Sequence, residues 1–287
     1  MLLREIKNIF HAELDALYQQ EEVRSFFSML IEHYLGLERF VLALQPDFTI
    51  SKEEERPFFE ALGRLKLQEP IQHIIGKTHF MEMDFRVSKD VLIPRPETEE
   101  LVRWIIDEIQ NTKYEVRSIN ALKILDIGTG SGCIAISLAK HLSKADVYAV
   151  DISEEALKVA KANAVSNEVD VTFIKQDVLK GELLLEFDII VSNPPYVREM
   201  EKDEIHKNVL DYEPPQALFV TNEDPLVFYK SITALASIHL KEGGSLFLEI
   251  NQYLGKETKQ LLNDHNFSEI ELRKDMFGND RMLKGKR

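Results

Sequence analysis

Beyond residue 121 the chain alternates short apolar runs with amphipathic helical patterns, and this alternation constrains the fold more than any other feature. The apolar runs have the length and composition of buried strands and lie at 123–127, 147–150, 171–174, 187–191, 245–250, 269–273 and 281–284. Helical patterns at 133–142, 154–163 and 225–240 separate the earlier runs. The sequence therefore predicts a doubly wound, mostly parallel α/β sheet of seven strands. The connection at 274–280 is too short for a crossover helix, so we expect the last two strands to be antiparallel.

The part of the chain before this alternation divides into a helical segment and a strand-like segment. Apolar residues recur at three-to-four spacing through residues 1–75, where Gly36 can end one helix and Ser51 can begin another. Residues 76–96 alternate strand-forming residues and end in the stiff segment Pro94-Arg95-Pro96. We expect a small helical domain at 1–75 for substrate recognition, a linking β-hairpin at 76–96, and the sheet domain at 97–287.

Composition excludes several classes of protein. The 35 basic and 49 acidic residues give a formal net charge of −14, which is unfavourable for non-specific binding to nucleic acid. A single cysteine excludes a disulfide framework and a Cys-based zinc site, and the eight histidines show no metal-ligand spacing. No apolar run reaches the roughly 18 residues of a membrane span. We expect a soluble, cytoplasmic, monomeric protein that binds neither metal, membrane nor nucleic acid.

A glycine-rich loop follows the first strand of the predicted sheet. It reads Asp126-Ile-Gly128-Thr129-Gly130-Ser131-Gly132 and opens a helix, while Asp151 ends the next strand. Glycines allow the backbone to approach a ligand closely, and an acid at that distance can accept hydrogen bonds from ribose hydroxyls. The spacing differs from that of dinucleotide sites and is more typical of S-adenosylmethionine sites, with Asp126 near the methionyl ammonium. Cys133 has no partner base in the sequence, so we expect no catalytic role for it.

The segment Ser192-Asn193-Pro194-Pro195-Tyr196 follows another apolar strand and indicates the chemistry. Two prolines cannot continue a central strand, so they hold a rigid segment at the same edge of the sheet as the glycine loop. The Asn193 side-chain oxygen and the Pro194 carbonyl can bind the two hydrogens of an amide or aryl amine, and Tyr196 can stack on a planar group. Such contacts hold the nitrogen in place and stabilise the charge that develops during attack on a sulfonium methyl.

These motifs together resemble the release-factor glutamine methyltransferases, the HemK/PrmC family. The resemblance runs from about residue 65 to the C-terminus. It is carried by Pro70-Ile-Gln-His-Ile-Ile-Gly76, Val91-Leu-Ile-Pro-Arg-Pro-Glu-Thr-Glu99, Asp126–Gly132, Asn193-Pro-Pro-Tyr196 and Asp275-x-x-Gly-x-Asp-Arg281. Asn-Pro-Pro-Tyr is shared with DNA adenine methyltransferases, whereas the segment that ends at Glu99 is more specific to this family.

The resemblance implies a Rossmann-like class I methyltransferase fold with S-adenosyl-L-methionine as the donor. The implied substrate is the glutamine of the Gly-Gly-Gln loop in class 1 peptide chain release factors, which act in translation termination. The resemblance places cofactor contacts at Asp126, at Gly128–Gly132, at Asp151, at Asp177 and Val178, and at Asn193. It assigns the glutamine amide to the segment Asn193–Tyr196. The chain departs from the family pattern at Val178, where many members carry an aromatic residue, and at Asn251-Gln-Tyr-Leu-Gly255.

Three other functions are compatible with parts of the pattern. A nucleic-acid adenine N6-methyltransferase would use the same Asn-Pro-Pro-Tyr segment on a flipped base, but the net charge and the lack of a basic recognition domain argue against it. A dehydrogenase would bind a nucleotide at the glycine loop, yet it has no use for that segment. A non-enzymatic binding module would not need intact glycines together with Asp151 and Asn193.

Overall fold

The computed structural model describes residues 1–111, 121–180 and 185–287. They form two compact units. The first comprises Met1–Gly76 together with His206–Tyr212, and the second comprises Lys77–Ile205 and Glu213–Arg287. The first unit therefore includes a segment that lies far along the sequence from the rest of it. Within the described ranges, no helix is both long enough and apolar enough to span a bilayer.

The first unit is helical, as its apolar spacing predicts. Its helices are α1 (Leu3–Leu14), α2 (Gln20–Leu35), α3 (Val41–Leu44), α4 (Lys52–Lys66), α5 (Ile71–Ile75) and, from the later segment, α9 (Lys207–Tyr212). The apolar faces of α1–α5 meet in one core that includes Phe10, Phe27 and Phe58. The Tyr212 hydroxyl of α9 donates to the Leu67 carbonyl at 3.0 Å, which ties the later segment to the end of α4.

Both predicted helix boundaries in this unit are confirmed. Gly36 ends α2 in the left-handed conformation, with φ +63°, which glycine adopts without steric cost. Ser51 begins α4 with a reciprocal pair of bonds: its hydroxyl accepts from the Glu54 amide, and the Glu54 carboxylate accepts from the Ser51 amide. Each device satisfies backbone groups that a helix end leaves without a partner.

The second unit contains a hairpin, a large sheet and the helices that cover the sheet. The hairpin pairs β1 (Lys77–Phe80) with β2 (Met83–Arg86). The sheet contains β3 (Leu122–Ile127), β4 (Ala145–Asp151), β5 (Thr172–Lys175), β6 (Phe187–Ser192), β9 (Leu240–Glu249), β10 (Ser268–Lys274) and β11 (Asp280–Lys286). Its helices are α6 (Pro96–Asn111), α7 (Cys133–His141), α8 (Glu154–Ser166), α10 (Val227–His239) and α11 (Gly255–Asp264), and the short strands β7 (Val197–Arg198) and β8 (Phe219–Val220) form a separate pair.

The order of strands in the large sheet is β10-β11-β9-β6-β3-β4-β5. Five strands are parallel, and β11 runs antiparallel to both β9 and β10, as the short connection before it predicts. From β3 the chain winds outward through β4 to β5, then returns to β6 on the other side of β3. The carboxyl ends of β3 and β6 therefore form the topological switch point, where open α/β sheets bind ligands.

Alternate residues of the central strands enter two separate cores, one on each face of the sheet. Ile124 and Ile189 pack with α6 and α7 on one face. Leu125 and Ile190 pack with α10 and α11 on the other. Side chains of consecutive strand residues point to opposite faces, so a strand that is apolar at almost every position is buried on both sides. The sheet edge is thereby held rigidly beneath the loops that carry the site.

Candidate active site

A cavity of about 540 Å³ opens at the carboxyl ends of the parallel strands in the second unit. Strand register explains its position. Ile127 of β3 lies opposite Val150 of β4 on one side and opposite Ser192 of β6 on the other. The residues that follow these three strand positions are Gly128, Asp151 and Asn193, so the predicted glycine loop, acid and Asn-Pro-Pro segment meet at one level of the sheet. All three line the cavity.

The glycine loop leaves space for a ligand at two of its three glycines. Gly128 and Gly130 have φ values of +73° and +54°, and a Cβ added at either would meet no atom within 4 Å. A side chain there would project into open space, and the backbone conformation itself favours glycine. Gly132 differs, because a Cβ at this position would lie 2.8 Å from Ile136 Cδ1. Gly132 does not line the cavity, and a Cβ there would also lie 3.1 Å from Ala160 Cβ, so this glycine allows close packing of the loop against α8.

Asp151 supports the glycine loop as well as lining the cavity. Its carboxylate accepts from the Gly130 amide at 2.8 Å and from the Ser153 amide at 2.9 Å, one bond to each oxygen. Each carboxylate oxygen has a second lone pair, so hydroxyl groups of a ribose can still donate to it. Asp177 and Val178, which follow β5, also line the cavity, as do Thr129 and Ser131 of the loop.

Asp126 lies directly beneath the glycine loop and is fully buried. One carboxylate oxygen accepts from the Thr129 hydroxyl at 2.7 Å and from the Ala135 amide at 3.3 Å. The other oxygen has no hydrogen-bond partner among the described residues. Burial raises the pKa of this carboxyl from 3.8 to about 7. A buried acceptor without a partner fits the positively charged ammonium of a methionyl group, which would favour the ionised form.

Asn193 presents an acceptor to the cavity. Its side-chain nitrogen donates to the Thr98 hydroxyl at 3.2 Å, while its side-chain oxygen accepts no hydrogen bond within the described ranges. The carbonyl of Pro194, which also lines the cavity, is likewise without a donor in that part of the chain. Two neighbouring acceptors therefore border the same space as the glycine loop. This arrangement matches a ligand that brings two hydrogens on one nitrogen.

Tyr196 and Asp126 are predicted site residues that, like Gly132, lie outside the cavity lining. The Tyr196 hydroxyl donates to Glu249 at 3.0 Å and accepts from Arg281 at 3.2 Å. Its ring packs against the core formed by α10 and α11. The tyrosine thus anchors the Asn-Pro-Pro segment from behind, because its polar end is already bound to groups on β9 and β11.

Cys133 lines the cavity wall but lacks the features of a nucleophile. The thiol is buried and free, and burial raises its pKa to about 12. The thiolate is the reactive form of cysteine, so a thiol with a raised pKa is inert near neutral pH. This agrees with the expectation that Cys133 has no catalytic role.

The structure gives contacts to residues that the sequence analysis named only as parts of longer segments. Thr98 and Arg95 line the cavity from the start of α6, and Arg95 pairs at 2.6 Å with the buried Glu213. The Asn251 side chain donates to the Tyr196 carbonyl at 2.9 Å and to Glu201 at 2.8 Å. The position at which the chain departs from the family pattern therefore fixes the backbone of the Asn-Pro-Pro-Tyr segment. The available signal in the sequence was a polar residue, Asn251, directly after an apolar strand pattern.

Asn163 on α8 is a further residue that sequence reasoning missed. It is fully buried, and its side-chain oxygen accepts from the Arg86 amide at 2.7 Å. Its side-chain nitrogen donates to the carbonyls of Arg86, at 3.0 Å, and Ser131, at 2.9 Å. One side chain thus connects the hairpin to the glycine loop.

Comparison with family models gives two matches. A model described as the methyltransferase small domain matches residues 110–219. A model described as the PrmC N-terminal domain matches residues 9–76. The first match contains both the glycine loop and the Asn-Pro-Pro-Tyr segment, and the second covers most of the helical part of the first unit.

Three curated proteins similar to the chain carry the same name. A release factor glutamine methyltransferase of Flavobacterium psychrophilum is 52% identical over 285 residues, which is 99% of each chain. The protein of that name in Bacteroides thetaiotaomicron is 43% identical over 276 residues, 96% of each chain. A third, from Streptococcus pneumoniae, is 39% identical over 285 residues, 99% of this chain and 98% of its own.

Among solved structures, a methyltransferase from Pyrococcus furiosus has the same fold. It gives a TM-score of 0.51 at 18% identity and covers 82% of this chain and 98% of its own. A 16S rRNA methyltransferase of Thermus thermophilus, solved with AdoMet and guanosine, gives a TM-score of 0.50 at 18% identity, covering 74% of this chain and 49% of its own. At this identity the likeness concerns the fold alone, and it agrees with the predicted class I methyltransferase architecture.

Proposed function

The chain belongs to the release factor glutamine methyltransferase family, and from this membership we propose the reaction that it catalyses. It transfers a methyl group from S-adenosyl-L-methionine to the side-chain amide nitrogen of the glutamine in the Gly-Gly-Gln motif of class 1 peptide chain release factors. Two relatives named release factor glutamine methyltransferase match the chain over 99% and 96% of their length, at 52% and 43% identity. Because release factors act on ribosomes, the proposal also assigns the enzyme to the cytoplasm.

The observation that carries the proposal is the pair of free acceptors beside the glycine loop. Asn193 and Pro194 line the cavity, and neither the Asn193 side-chain oxygen nor the Pro194 carbonyl accepts a hydrogen bond within the described residues. A glutamine amide has two N–H groups, and two fixed acceptors can bind both. The nitrogen is then oriented by groups that the protein holds in advance, which lowers the entropic cost of reaching the reactive geometry.

The same two acceptors help the reaction as charge develops. A delocalised amide nitrogen is a weak nucleophile, and it becomes positively charged as the N–CH₃ bond forms and the S–CH₃ bond breaks. Acceptors bind a more positive N–H more strongly, so Asn193 and Pro194 stabilise the transition state more than the bound substrate. The methylated nitrogen then releases one proton to solvent, and no strong general base is required.

The donor's own contacts follow from the cavity lining. When bound, S-adenosylmethionine supplies an electrophilic methyl group on a sulfonium centre. Asp151 would bind its ribose hydroxyls, the backbone at Gly128–Gly130 would approach it closely, and Asp177 and Val178 would lie at its adenine end. Asp126 would balance the ammonium charge of the methionyl group from beneath the loop.

We assign recognition of the intact release factor to the first unit. A glutamine side chain offers little surface, and glutamines are common on protein surfaces, so selectivity requires contacts away from the reacting amide. The cavity lining belongs to the second unit, which leaves the helical unit available for that role. Binding energy from such remote contacts can be used to position the reacting group.

The test is a transfer assay with two acceptors. The purified protein is incubated with labelled S-adenosylmethionine and either a class 1 release factor or double-stranded DNA, and the modified site is located by mass spectrometry. We expect label only on the release factor, at the Gly-Gly-Gln glutamine. Label on adenine in DNA would instead favour the adenine N6-methyltransferase, which no structural observation supports over the proposal.

A further inference from the structure

A chain of hydrogen bonds runs behind Asn193 and contains two charged groups, Arg281 at its far end and Glu249 in its middle. Arg281 donates to the Tyr196 hydroxyl at 3.2 Å, and that hydroxyl donates to one oxygen of Glu249 at 3.0 Å. The Thr98 hydroxyl donates to the other oxygen of Glu249 at 2.6 Å, and Asn193 donates to the Thr98 oxygen at 3.2 Å. The chain thus joins β11, β9 and α6 with the segment that follows β6, and all of its members belong to the second unit.

These two charged groups determine the direction of every hydrogen bond in the chain. A guanidinium can only donate, so the Tyr196 oxygen accepts from Arg281 and the Tyr196 proton goes to Glu249. A carboxylate can only accept, so the single proton of Thr98 also goes to Glu249. The Thr98 oxygen then has only acceptor capacity left. Asn193 must present its NH₂ group to Thr98, and its oxygen is left for the cavity.

We propose that Glu249 is a positioning residue for methyl transfer, because through Thr98 it fixes the Asn193 amide with the oxygen toward the substrate. The inference rests on the proposed function, since it gives the oriented oxygen a glutamine amide to bind. Without the Thr98 hydroxyl, the Asn193 amide loses the hydrogen bond that favours one of its two orientations over the other. The flipped amide would present NH₂ to the substrate NH₂, and two donors cannot form a hydrogen bond.

The surroundings of Glu249 support a role beyond stability. Its side chain is 1% exposed, and it forms no ion pair with any described residue. Burial raises the pKa of this carboxyl, although hydrogen bonds from Thr98 and Tyr196 and the charge of Arg281 oppose that rise. Glu97 is the other carboxylate that acts on it, and it raises the pKa further. A buried carboxylate is costly unless its hydrogen bonds are satisfied, and here both oxygens accept.

The test compares two substitutions at Thr98 in the full chain. Thr98→Val keeps the shape and removes the hydroxyl, whereas Thr98→Ser keeps the hydroxyl. With saturating release factor, we expect kcat of Thr98→Val to fall by about ten- to hundredfold. We expect Thr98→Ser to recover most of that activity. Calorimetry should give both variants a Kd for S-adenosylmethionine within about threefold of wild type, because Thr98 orients the acceptor side of the cavity.

Two further variants keep the test decisive. Thr233→Val is the matched control: Thr233 is fully buried on α10, its hydroxyl has no partner among the described residues, and it is outside the cavity lining. It makes the same chemical change and should leave kcat unaltered. Glu249→Gln replaces one acceptor oxygen by an NH₂ group. Arg281 already donates to Tyr196, so we expect this NH₂ to face Thr98, whose proton is then left for Asn193, and kcat should fall as in Thr98→Val. Thr98→Ala takes the place of Thr98→Val if the latter does not fold.

The outcomes separate the positioning role from the proposed function. If wild-type protein methylates the release factor while Thr98→Val and Glu249→Gln stay within about threefold of its kcat, Glu249 does not position Asn193. A loss that Thr98→Ser fails to recover, or that comes with weaker cofactor binding, would equally contradict the inference. If wild-type protein transfers no methyl group to the release factor, the proposed function is wrong and the inference falls with it.

Discussion

Among single residues, Asn193 is the one on which we expect binding of the methyl-accepting amide to depend most directly. We expect Asn193→Ala to lower the rate of methyl transfer by about 10²–10³, since one of two acceptors for the glutamine amide is removed. The glycine loop and Asp151 are untouched, so the Kd for S-adenosylmethionine should stay close to the wild-type value. Single-turnover transfer to the release factor measures the first quantity, and calorimetry measures the second. A single-turnover rate within about threefold of wild type would show that Asn193 does not bind the reacting amide.

Asp126 should make the stability of the ligand-free protein depend on pH. Its pKa is raised from 3.8 to about 7 in the folded chain, so between these values the folded state holds a proton that the unfolded state has lost. The contribution of Asp126 to the free energy of unfolding therefore falls as pH rises from about 4 to about 7 and is constant above that. Asp126→Asn has no such dependence.

The corresponding measurement is thermal unfolding of both proteins without ligand at pH 5 and pH 8. We expect the Tm of Asp126→Asn relative to wild type to be higher at pH 8 than at pH 5. The same variant should bind S-adenosylmethionine more weakly at pH 8, since the ammonium loses its carboxylate. A Tm difference that is independent of pH would mean that the buried carboxyl titrates in its ordinary range.

Residues of the site differ in how far the sequence could predict them. Gly128, Asp151 and Asn193 follow strand ends and carry a recognisable spacing, so the sequence places them together. Thr98 and Glu249 are far apart in the chain and belong to no motif with a known mechanism. Their contact depends on how α6 packs beside β9, and a single sequence contains no signal for that packing. The sequence therefore predicted groups that line the cavity but missed those that contact them from behind.

At the scale of elements, α8 connects the hairpin with the glycine loop through Asn163. We expect Asn163→Ala to lower the free energy of unfolding by about 2–4 kcal/mol, because three hydrogen bonds are lost and buried backbone groups are left without partners. Binding of S-adenosylmethionine should weaken as well, since the Ser131 carbonyl is released. Chemical denaturation and calorimetry measure the two effects.

The matched control is Asn167→Ala, one helical turn further along. The Asn167 side chain donates to the Asp84 carbonyl of the same hairpin at 3.0 Å, and it has no bond to the glycine loop. We expect a loss of about 1 kcal/mol or less for this variant and an unchanged Kd. Equal effects of the two substitutions on cofactor binding would exclude a specific role for Asn163 in holding the loop.

Element type was predicted well from periodicity, and element boundaries less well. The seven strands and the antiparallel pair at the end are confirmed. β9 begins at Leu240, five residues before the predicted start at 245, because Lys241-Glu-Gly-Gly244 has no apolar pattern yet continues the strand. Within the segment 76–96 the hairpin is confined to Lys77–Arg86, while Val91 and Ile93 are buried without forming a strand. In both places tertiary packing determines which residues form a strand, and the local sequence pattern contains no information about that packing.

For the molecule as a whole, the first unit includes a segment from later in the chain, and this affects how the role of the unit must be tested. Removal of residues 1–76 alone would leave α9 without the Leu67 carbonyl that binds the Tyr212 hydroxyl. A clean deletion therefore starts the chain at residue 77 and also replaces 206–212 with a short Gly-Ser linker. The cavity lining is retained in full, because none of its residues lies in the deleted segments.

We expect this truncated chain to bind S-adenosylmethionine normally and to methylate intact release factor with a far lower kcat/KM. Remote contacts that position the reacting amide are lost, whereas the cofactor side is kept. A short Gly-Gly-Gln peptide should be an equally poor substrate for the full and the truncated chain, and it serves as the control. If the folded truncated chain shows wild-type kcat/KM on the intact release factor, the helical unit does not recognise this substrate.

The position of His206–Tyr212 in the chain also determines when the first unit can be completed during synthesis on the ribosome. Helices α1–α5 emerge first, but α9 follows only after four strands of the large sheet have been translated. Domains commonly complete folding in the order in which they leave the ribosome. Here the core of the N-terminal unit is built from residues 3–75, but its last hydrogen bond, from the Tyr212 hydroxyl to the end of α4, waits until residue 212 has been translated.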